Sequence, residues 1–205
     1  GSSKEDNRII AFFGRVMYNY KEKYLFSASV RYEGSSRFGD NHKWGTFPAV
    51  SLGWRISREP WLKDAKWLNE LKLRAGFGIT GNQEIGNYRS LSILRKGSSN
   101  FYYNNKWIST YEPGSNPNPD LRWEKKKEFN VGLDMSVLGN RLNVTVDYYN
   151  RRTKDLLYTY TVPVPPNLYP SKFANVGTID NKGIEVTVNA TPISHRNFSL
   201  SLIHS

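Results

Sequence analysis

A chain of 205 residues is long enough for one large domain. Its mean hydropathy of −0.62 argues against transmembrane helices, and no apolar run approaches the roughly 18 residues that such a helix needs, but neither observation argues against transmembrane strands, in which every second residue is polar. The net charge of +11 would suit a nucleic-acid binder. Because the basic residues are scattered along polar strand faces and loops, we expect no nucleic acid as a partner. The absence of cysteine excludes disulfides, thiolate metal sites and cysteine nucleophiles.

Alternation of apolar and polar residues is the main signal, and it begins near the start of the chain. The second predicted strand, residues 23–33, turns five apolar side chains to one face: Tyr24, Phe26, Ala28, Val30 and Tyr32. The pattern runs about ten residues at a time, which is the length a tilted strand needs to cross a bilayer. In chain order, the predicted strands cover residues 10–20, 23–33, 48–56, 71–79, 129–137, 142–160, 184–190 and 198–202.

The predicted connections alternate in length. Residues 21–23, 57–69, 138–141 and 191–197 are mostly short, whereas the loops 34–45, 81–126 and 162–172 are longer. Outer-membrane barrels keep this alternation, with short periplasmic turns and long outer loops. Residues 57–69 predict a short amphipathic turn, either at a membrane interface or as a packed linker. A small hairpin is expected from 88–94 and 106–111. An aromatic girdle is expected near one rim, at Tyr18, Tyr20, Tyr24, Phe26 and Trp54.

No complete catalytic or cofactor motif indicates an enzyme. The run from Gly76 to Gly81 fits G-x-G-x-x-G, but the residues that follow predict a loop, whereas a dinucleotide site needs a helix there. The three histidines have no spacing suited to a metal, and neither a nucleophile elbow nor a phosphate-binding loop is present. We therefore expect no catalytic residues, no cofactor and no metal.

Aromatic residues in the predicted outer loops are the candidate substrate-binding residues: Trp44, Tyr102, Tyr103, Trp107 and Tyr111. Aromatic rings stack on sugars and other ligands, and barrel mouths bind ligands. The simpler interpretation, which we favour for any single residue, is that these side chains pack the long loops against one another.

Six segments, in order along nearly the whole chain, resemble the SusC/RagA family of TonB-linked outer-membrane transporters. They are FGRVMYNY (13–20), RYEGSSRFG (31–39), WGTFPAVSLGWRIS (44–57), LKLRAGFGITGN (71–82), NPDLRWE (118–124) and NVGTIDNKGIE (175–185).

The resemblance implies an all-β, antiparallel up-and-down transmembrane barrel, plugged and built from about 22 strands. Residues 1–205 would be a partial barrel domain of about eight strands from its C-terminal half, a fragment without the plug and the TonB-contacting segment. It implies the outer membrane of a Gram-negative bacterium of the Bacteroidetes type. The implied function is uptake of large nutrients, glycans or peptides. The implied partners are lipid, a SusD-like surface lipoprotein, and TonB through the missing plug.

Two other classes remain open from the sequence. A soluble carbohydrate-binding β-sandwich would cover its apolar strand face with a second sheet, whereas a barrel would leave that face free of protein. The residues that distinguish the two are Phe12, Val30, Leu52, Leu73 and Val131. A barrel enzyme such as an esterase-bearing autotransporter is opposed by the missing nucleophile motif.

Overall fold

The computed structural model describes residues 4–62, 64–195 and 198–204. Within them the chain forms twelve strands: β1 (Ile9–Tyr20), β2 (Tyr24–Ser35), β3 (Trp44–Arg55), β4 (Leu68–Asn82), β5 (Leu94–Tyr103), β6 (Lys106–Pro113), β7 (Glu124–Val137), β8 (Leu142–Lys154), β9 (Leu157–Thr161), β10 (Ser171–Asn175), β11 (Thr178–His195) and β12 (Phe198–His204). Eight of them form one antiparallel sheet in the order β1-β2-β3-β4-β7-β8-β11-β12. The pairs β5–β6 and β9–β10 are separate hairpins inserted into this meander. The predicted antiparallel, up-and-down fold class is confirmed.

The eight-stranded sheet has one apolar face and one polar face, because residues paired across antiparallel strands point the same way. On the apolar face Leu52 pairs with Ala75, and Leu73 pairs with Leu133. On the polar face Ser51 lies between Ser27 and Gly76. Of the five distinguishing residues, Phe12, Val30, Leu52 and Leu73 are exposed, and Val131 is half-buried. No second sheet covers the apolar face within the described residues, so the β-sandwich alternative is wrong.

Short connections join the strands at one end of the sheet. Lys21 and Glu22 adopt positive φ angles of 51° and 54° between β1 and β2, which matches the twist of a tight hairpin. Between β3 and β4, a 3₁₀ helix at Ile56–Arg58 continues into turns that close every three residues up to Leu68. The amphipathic turn predicted for residues 57–69 is therefore a run of tight turns, and Trp61 and Trp67 remain exposed along it.

Long connections lie at the other end of the sheet, at residues 36–43, 83–123 and 155–177. Two sequence predictions about them are wrong in detail. The first strand of the hairpin β5–β6 covers residues 94–103 rather than 88–94, because hydrogen bonds from Arg37 and Asn118 hold the residues before it in the loops. The strand predicted over 142–160 breaks at Asp155, whose φ is 59°, so that β9 pairs with β10 instead of extending β8. The predicted loop 162–172 consequently includes the first residues of a strand.

The buried apolar core lies among the long connections and not on the apolar face of the sheet. Its buried members are Phe38, Phe47, Ile85, Leu121 and Trp123. Half-buried residues from β4, β9 and β10 pack against them: Ile79, Leu157 and Phe173. The loop end is thus a packed structure in its own right.

Four of the five predicted girdle residues form a row of aromatic rings at the short-turn end, and the fifth, Phe26, pairs with Tyr18 beside the row. Tyr18, Tyr20, Tyr24 and Trp54 follow one another with ring centroids 6.3–6.5 Å apart. Glu59, only 8% exposed, accepts hydrogen bonds from the Tyr24 hydroxyl (2.8 Å), the Trp54 indole (3.1 Å) and Lys23 (3.1 Å). These donors, Tyr24 foremost, lower the pKa of the Glu59 carboxyl. The polar tips of Tyr24 and Trp54 are therefore tied to the β3–β4 connection.

Among the described residues, none of the helical structure is long and apolar enough to cross a membrane.

Candidate functional site

Buried asparagines join the second and third long connections. Asn116, 6% exposed, donates to the carbonyls of Tyr169 (2.6 Å) and Ser171 (2.9 Å), and its Oδ1 accepts from the amides of Leu168 and Tyr169, both at 3.1 Å. Asn118 donates to the Phe173 carbonyl at 2.9 Å. An asparagine carries both donors and an acceptor, so one side chain can satisfy several buried backbone groups. The two connections are consequently held together as one unit.

The first long connection joins the same unit. The Trp123 indole, 2% exposed, donates to the Lys43 carbonyl at 3.0 Å, and the Gly39 amide donates to the Leu121 carbonyl at 2.9 Å. A Cβ on Gly39 would overlap the carbonyl of Pro119, so only glycine allows this close approach. All three long connections therefore pack into one unit at the loop end of the sheet, which we call the base.

The hairpin β5–β6 projects from this base. Four of the five predicted site residues lie on it, but only two of them meet: Tyr102 pairs with Trp107 and their rings lie 5.0 Å apart, whereas Tyr103 stacks on Phe101 and Tyr111 pairs with Lys96. Tyr103 is 65% exposed, Trp107 71% and Tyr111 70%. Within the described residues these side chains do not pack the long connections against one another, since the core residues described above do so. An exposed aromatic hairpin on a fixed base is suited to contact a partner or a ligand.

Trp44, the fifth predicted residue, is not on the hairpin. It begins β3, lies over Gly34 of the neighbouring strand, and stacks on Tyr32 with ring centroids 4.7 Å apart. Tyr32 and Trp44 share the apolar face at the loop end. Ligand binding by Trp44 and by the hairpin residues remains a prediction.

A charged group on the polar face escaped sequence reasoning. Arg74 of β4 binds Asp134 of β7 with two hydrogen bonds (2.7 and 2.9 Å) and reaches Asp147 of β8 at 3.0 Å. It can cross β7 because the residue beneath it is Gly132, where a Cβ would overlap Asp147 and lie 2.7 Å from the Arg74 Nη2. The only sequence signal was that Arg74, Asp134 and Gly132 all fall on polar positions of alternating strands.

The remaining polar-face chemistry is that of a solvated wall. Glu128 pairs with Lys126 (3.3 Å) and Arg151 (3.2 Å). No cluster of histidine and carboxylate residues suited to a metal ion occurs in the part of the chain that the structure describes. The arrangement offers a solvated polar surface, with no assembled catalytic group among these residues.

The sequence model of the family described as TonB dependent receptor-like, beta-barrel, matches residues 1–205. The chain belongs to the TonB-dependent receptor family. Among curated proteins, this TonB-dependent receptor chain is 42% identical over 200 residues to TonB-dependent receptor P39 of Formosa agariphila, and 38% identical over 202 residues to TonB-dependent receptor SusC of Bacteroides thetaiotaomicron. Each match covers 97% of the chain, and the chain spans about a fifth of each relative, 19% and 20%.

Solved structures agree with this membership. The TonB-dependent receptor chain matches the RagAB peptide transporter with a TM-score of 0.83 and 30% identity, over 95% of the chain and 21% of that structure's chain. The siderophore receptor PirA from Acinetobacter baumannii matches with a TM-score of 0.60 at 12% identity over 92% of the chain and 27% of the receptor, which shows a shared fold alone. The family resemblance drawn from the six sequence segments is confirmed, and the family is one of transporters and receptors, not of enzymes.

Proposed function

We propose that this chain forms part of the wall and mouth of an importer in the outer membrane of a Gram-negative bacterium. The importer takes up large nutrients, glycans or peptides, together with a SusD-like surface lipoprotein. TonB supplies the energy through a plug segment that lies outside these 205 residues. The relatives support this proposal, since one is named SusC and another is a solved peptide transporter, RagAB.

The exposed apolar face is the observation that carries the proposal. Rows of large apolar side chains, including Phe12, Phe26, Leu52 and Phe77, are exposed on one side of a single sheet. A face of this size is not stable in water, and lipid is the solvent that it fits. The opposite face is polar, so that a closed barrel containing this sheet would surround a hydrophilic space.

The hairpin β5–β6 is the proposed capture element. Its rings are exposed, but its stem is fixed, because Ser115 accepts from the Ile93 amide (3.1 Å) and donates to the Leu91 carbonyl (2.8 Å). Fixed aromatic rings lose little conformational entropy when they stack on a sugar or on a peptide side chain. The hairpin also suits the lipoprotein partner, which we place at the same end.

The test uses the complete transporter in its native host. A variant with Tyr102, Tyr103, Trp107 and Tyr111 replaced by alanine is compared with Trp61→Ala/Trp67→Ala, which removes exposed aromatics from the other end of the sheet. Uptake of a labelled peptide mixture and of labelled oligosaccharides is measured for each. Four rings at about 0.5–1.5 kcal/mol each predict a loss of about thirtyfold or more in the apparent affinity of the hairpin variant.

The outcomes separate the parts of the proposal. Uptake lost only in the hairpin variant supports capture by the hairpin, and the labelled substrate that is lost identifies the class. Co-purification of the lipoprotein shows whether the hairpin acts through the partner. Unchanged uptake in the hairpin variant would reject the capture element, and unchanged uptake after deletion of the whole gene would reject the importer.

A further inference from the structure

A group of basic residues lies on the apolar face at the loop end, and the proposed function leaves it unexplained. Five cations from three adjacent strands form what we call the basic cluster: Lys125, Lys127, Arg152, Lys154 and Lys182. Lys127 pairs directly with Arg152, and Lys125 pairs with Lys154. Lys182 pairs with Asn150, which is next to Phe129 on β7. Pairing across antiparallel strands puts all of them on one face.

The basic cluster lies immediately beyond the apolar band. On β7 Lys127 is two residues before Phe129, and on β11 Lys182 is two residues before Ile184. Two residues of a strand span about 7 Å. Charged groups at this distance from the edge of an apolar band would lie at the depth of lipid headgroups.

The charges of the cluster are not balanced by protein. Like charges directly opposite each other on a sheet are destabilising. Of the carboxylates that the structure describes, Asp180 makes an ion pair here, with Arg152 at 3.3 Å. Nearby carboxylates are engaged elsewhere, because Glu128 pairs with Lys126 on the polar face and Asp155 pairs with Arg122. Five cations therefore share one carboxylate.

A recess of about 440 Å³ lies at the junction of the basic cluster and the apolar band. Three cations, Lys127, Arg152 and Lys182, line its charged side together with the carboxylate residues Asp180 and Glu128, whereas Phe77 and Phe129 line its apolar side. The recess thus combines an anion-binding region with a surface that fits hydrocarbon.

We propose that the basic cluster binds the phosphate groups of a lipid headgroup in the leaflet at the loop end. This inference rests on the membrane location proposed above. A lipid, and not free phosphate, is the ligand, because the apolar wall beside the charges matches an acyl chain. Phosphate oxygens would relieve the like-charge pairs by charge-assisted hydrogen bonds, and so the lipid would stabilise this part of the barrel.

The test measures lipid retention by the complete transporter, purified in detergent, using native mass spectrometry. The probes are lipid A with two phosphates, its dephosphorylated form, and inorganic phosphate. The variant Lys127→Gln/Arg152→Gln/Lys182→Gln removes three charges from the cluster. The matched control, Lys21→Gln/Lys66→Gln/Arg141→Gln, removes three exposed charges at the short-turn end.

Each basic side chain near a headgroup changes affinity by about fivefold, so the triple variant should bind lipid A about a hundredfold more weakly. The control should bind it normally. A second variant, Asp180→Asn, removes the carboxylate and should bind about fivefold more tightly. This gain cannot arise from misfolding.

Equal retention of lipid A by the triple variant and the control would overturn the inference. The inference would also be overturned if the wild-type transporter retained the dephosphorylated lipid as well as it retains lipid A, or if it bound inorganic phosphate as tightly as lipid A. Uptake is measured on the same variants in cells. Variants that transport normally but show any of these results reject the lipid site alone, whereas wild-type protein without uptake activity rejects the importer.

Discussion

Single glycines decide where charged side chains can lie on the polar face. Arg74 spans three strands only because Gly132 leaves room beneath the guanidinium, between Asp134 and Asp147. Gly78, on the same face of β4, has no such neighbour, and a Cβ there would meet only the Cβ of Ala49 at 3.5 Å. Both glycines fall on polar positions of alternating strands, so the sequence does not distinguish them, but they have different roles in the structure.

We therefore expect Gly132→Ala to destabilise the barrel and Gly78→Ala to be nearly neutral. The first added methyl group must displace Arg74 or the Asp147 carboxylate, at a cost of about 1–3 kcal/mol. The thermal unfolding midpoint of the complete transporter in detergent measures both. A midpoint for Gly132→Ala equal to that of Gly78→Ala would show that Arg74 does not need this space.

At the scale of elements, buried asparagines join the long connections to one another, and no strand pattern reveals this. The alternation of residues predicted the strands of the main sheet, because burial on one face imposes a period of two. Of the hairpin β5–β6 only the second strand was predicted, since contacts of the base decide where the first strand begins. Asn116 lies in a stretch that reads as irregular loop, although its side chain joins two connections separated by more than fifty residues.

Replacement of Asn116 by alanine should destabilise the packing of the third long connection against the second. It removes four hydrogen bonds to residues 168–171, each worth about 0.5–1.5 kcal/mol. Amide hydrogen exchange over residues 155–177 should become about thirtyfold faster or more. The control Asn100→Ala changes an exposed hairpin residue and should leave the exchange of this connection unaltered. Unchanged exchange in Asn116→Ala would mean that the core alone holds the loops.

At the scale of the whole molecule, the sheet has two chemically different faces, which we propose meet lipid and water. Its apolar face is exposed from Phe12 on β1 to Ile184 on β11, whereas the packed core lies at the loop end. Sequence alone gave the two faces and the family resemblance. It could not give the position of the core or the basic cluster, because both depend on residues that meet across strands far apart in the chain. Of the candidate site residues, four lie on one hairpin, where Tyr102 meets Trp107, while Trp44 lies on β3.

The orientation of the two faces is the central claim, and one measurement tests it directly. The 205 residues contain no cysteine, so Val50, Ser51, Leu52 and Gly53 of β3 can each be replaced by cysteine in the complete transporter and spin-labelled. Collision with oxygen, which concentrates in lipid, is compared with collision with a water-soluble nickel complex in vesicles. We expect the oxygen-to-nickel ratio to alternate, high at residues 50 and 52 and low at residues 51 and 53. A ratio that is flat along the strand, or high at 51 and 53, would contradict the account.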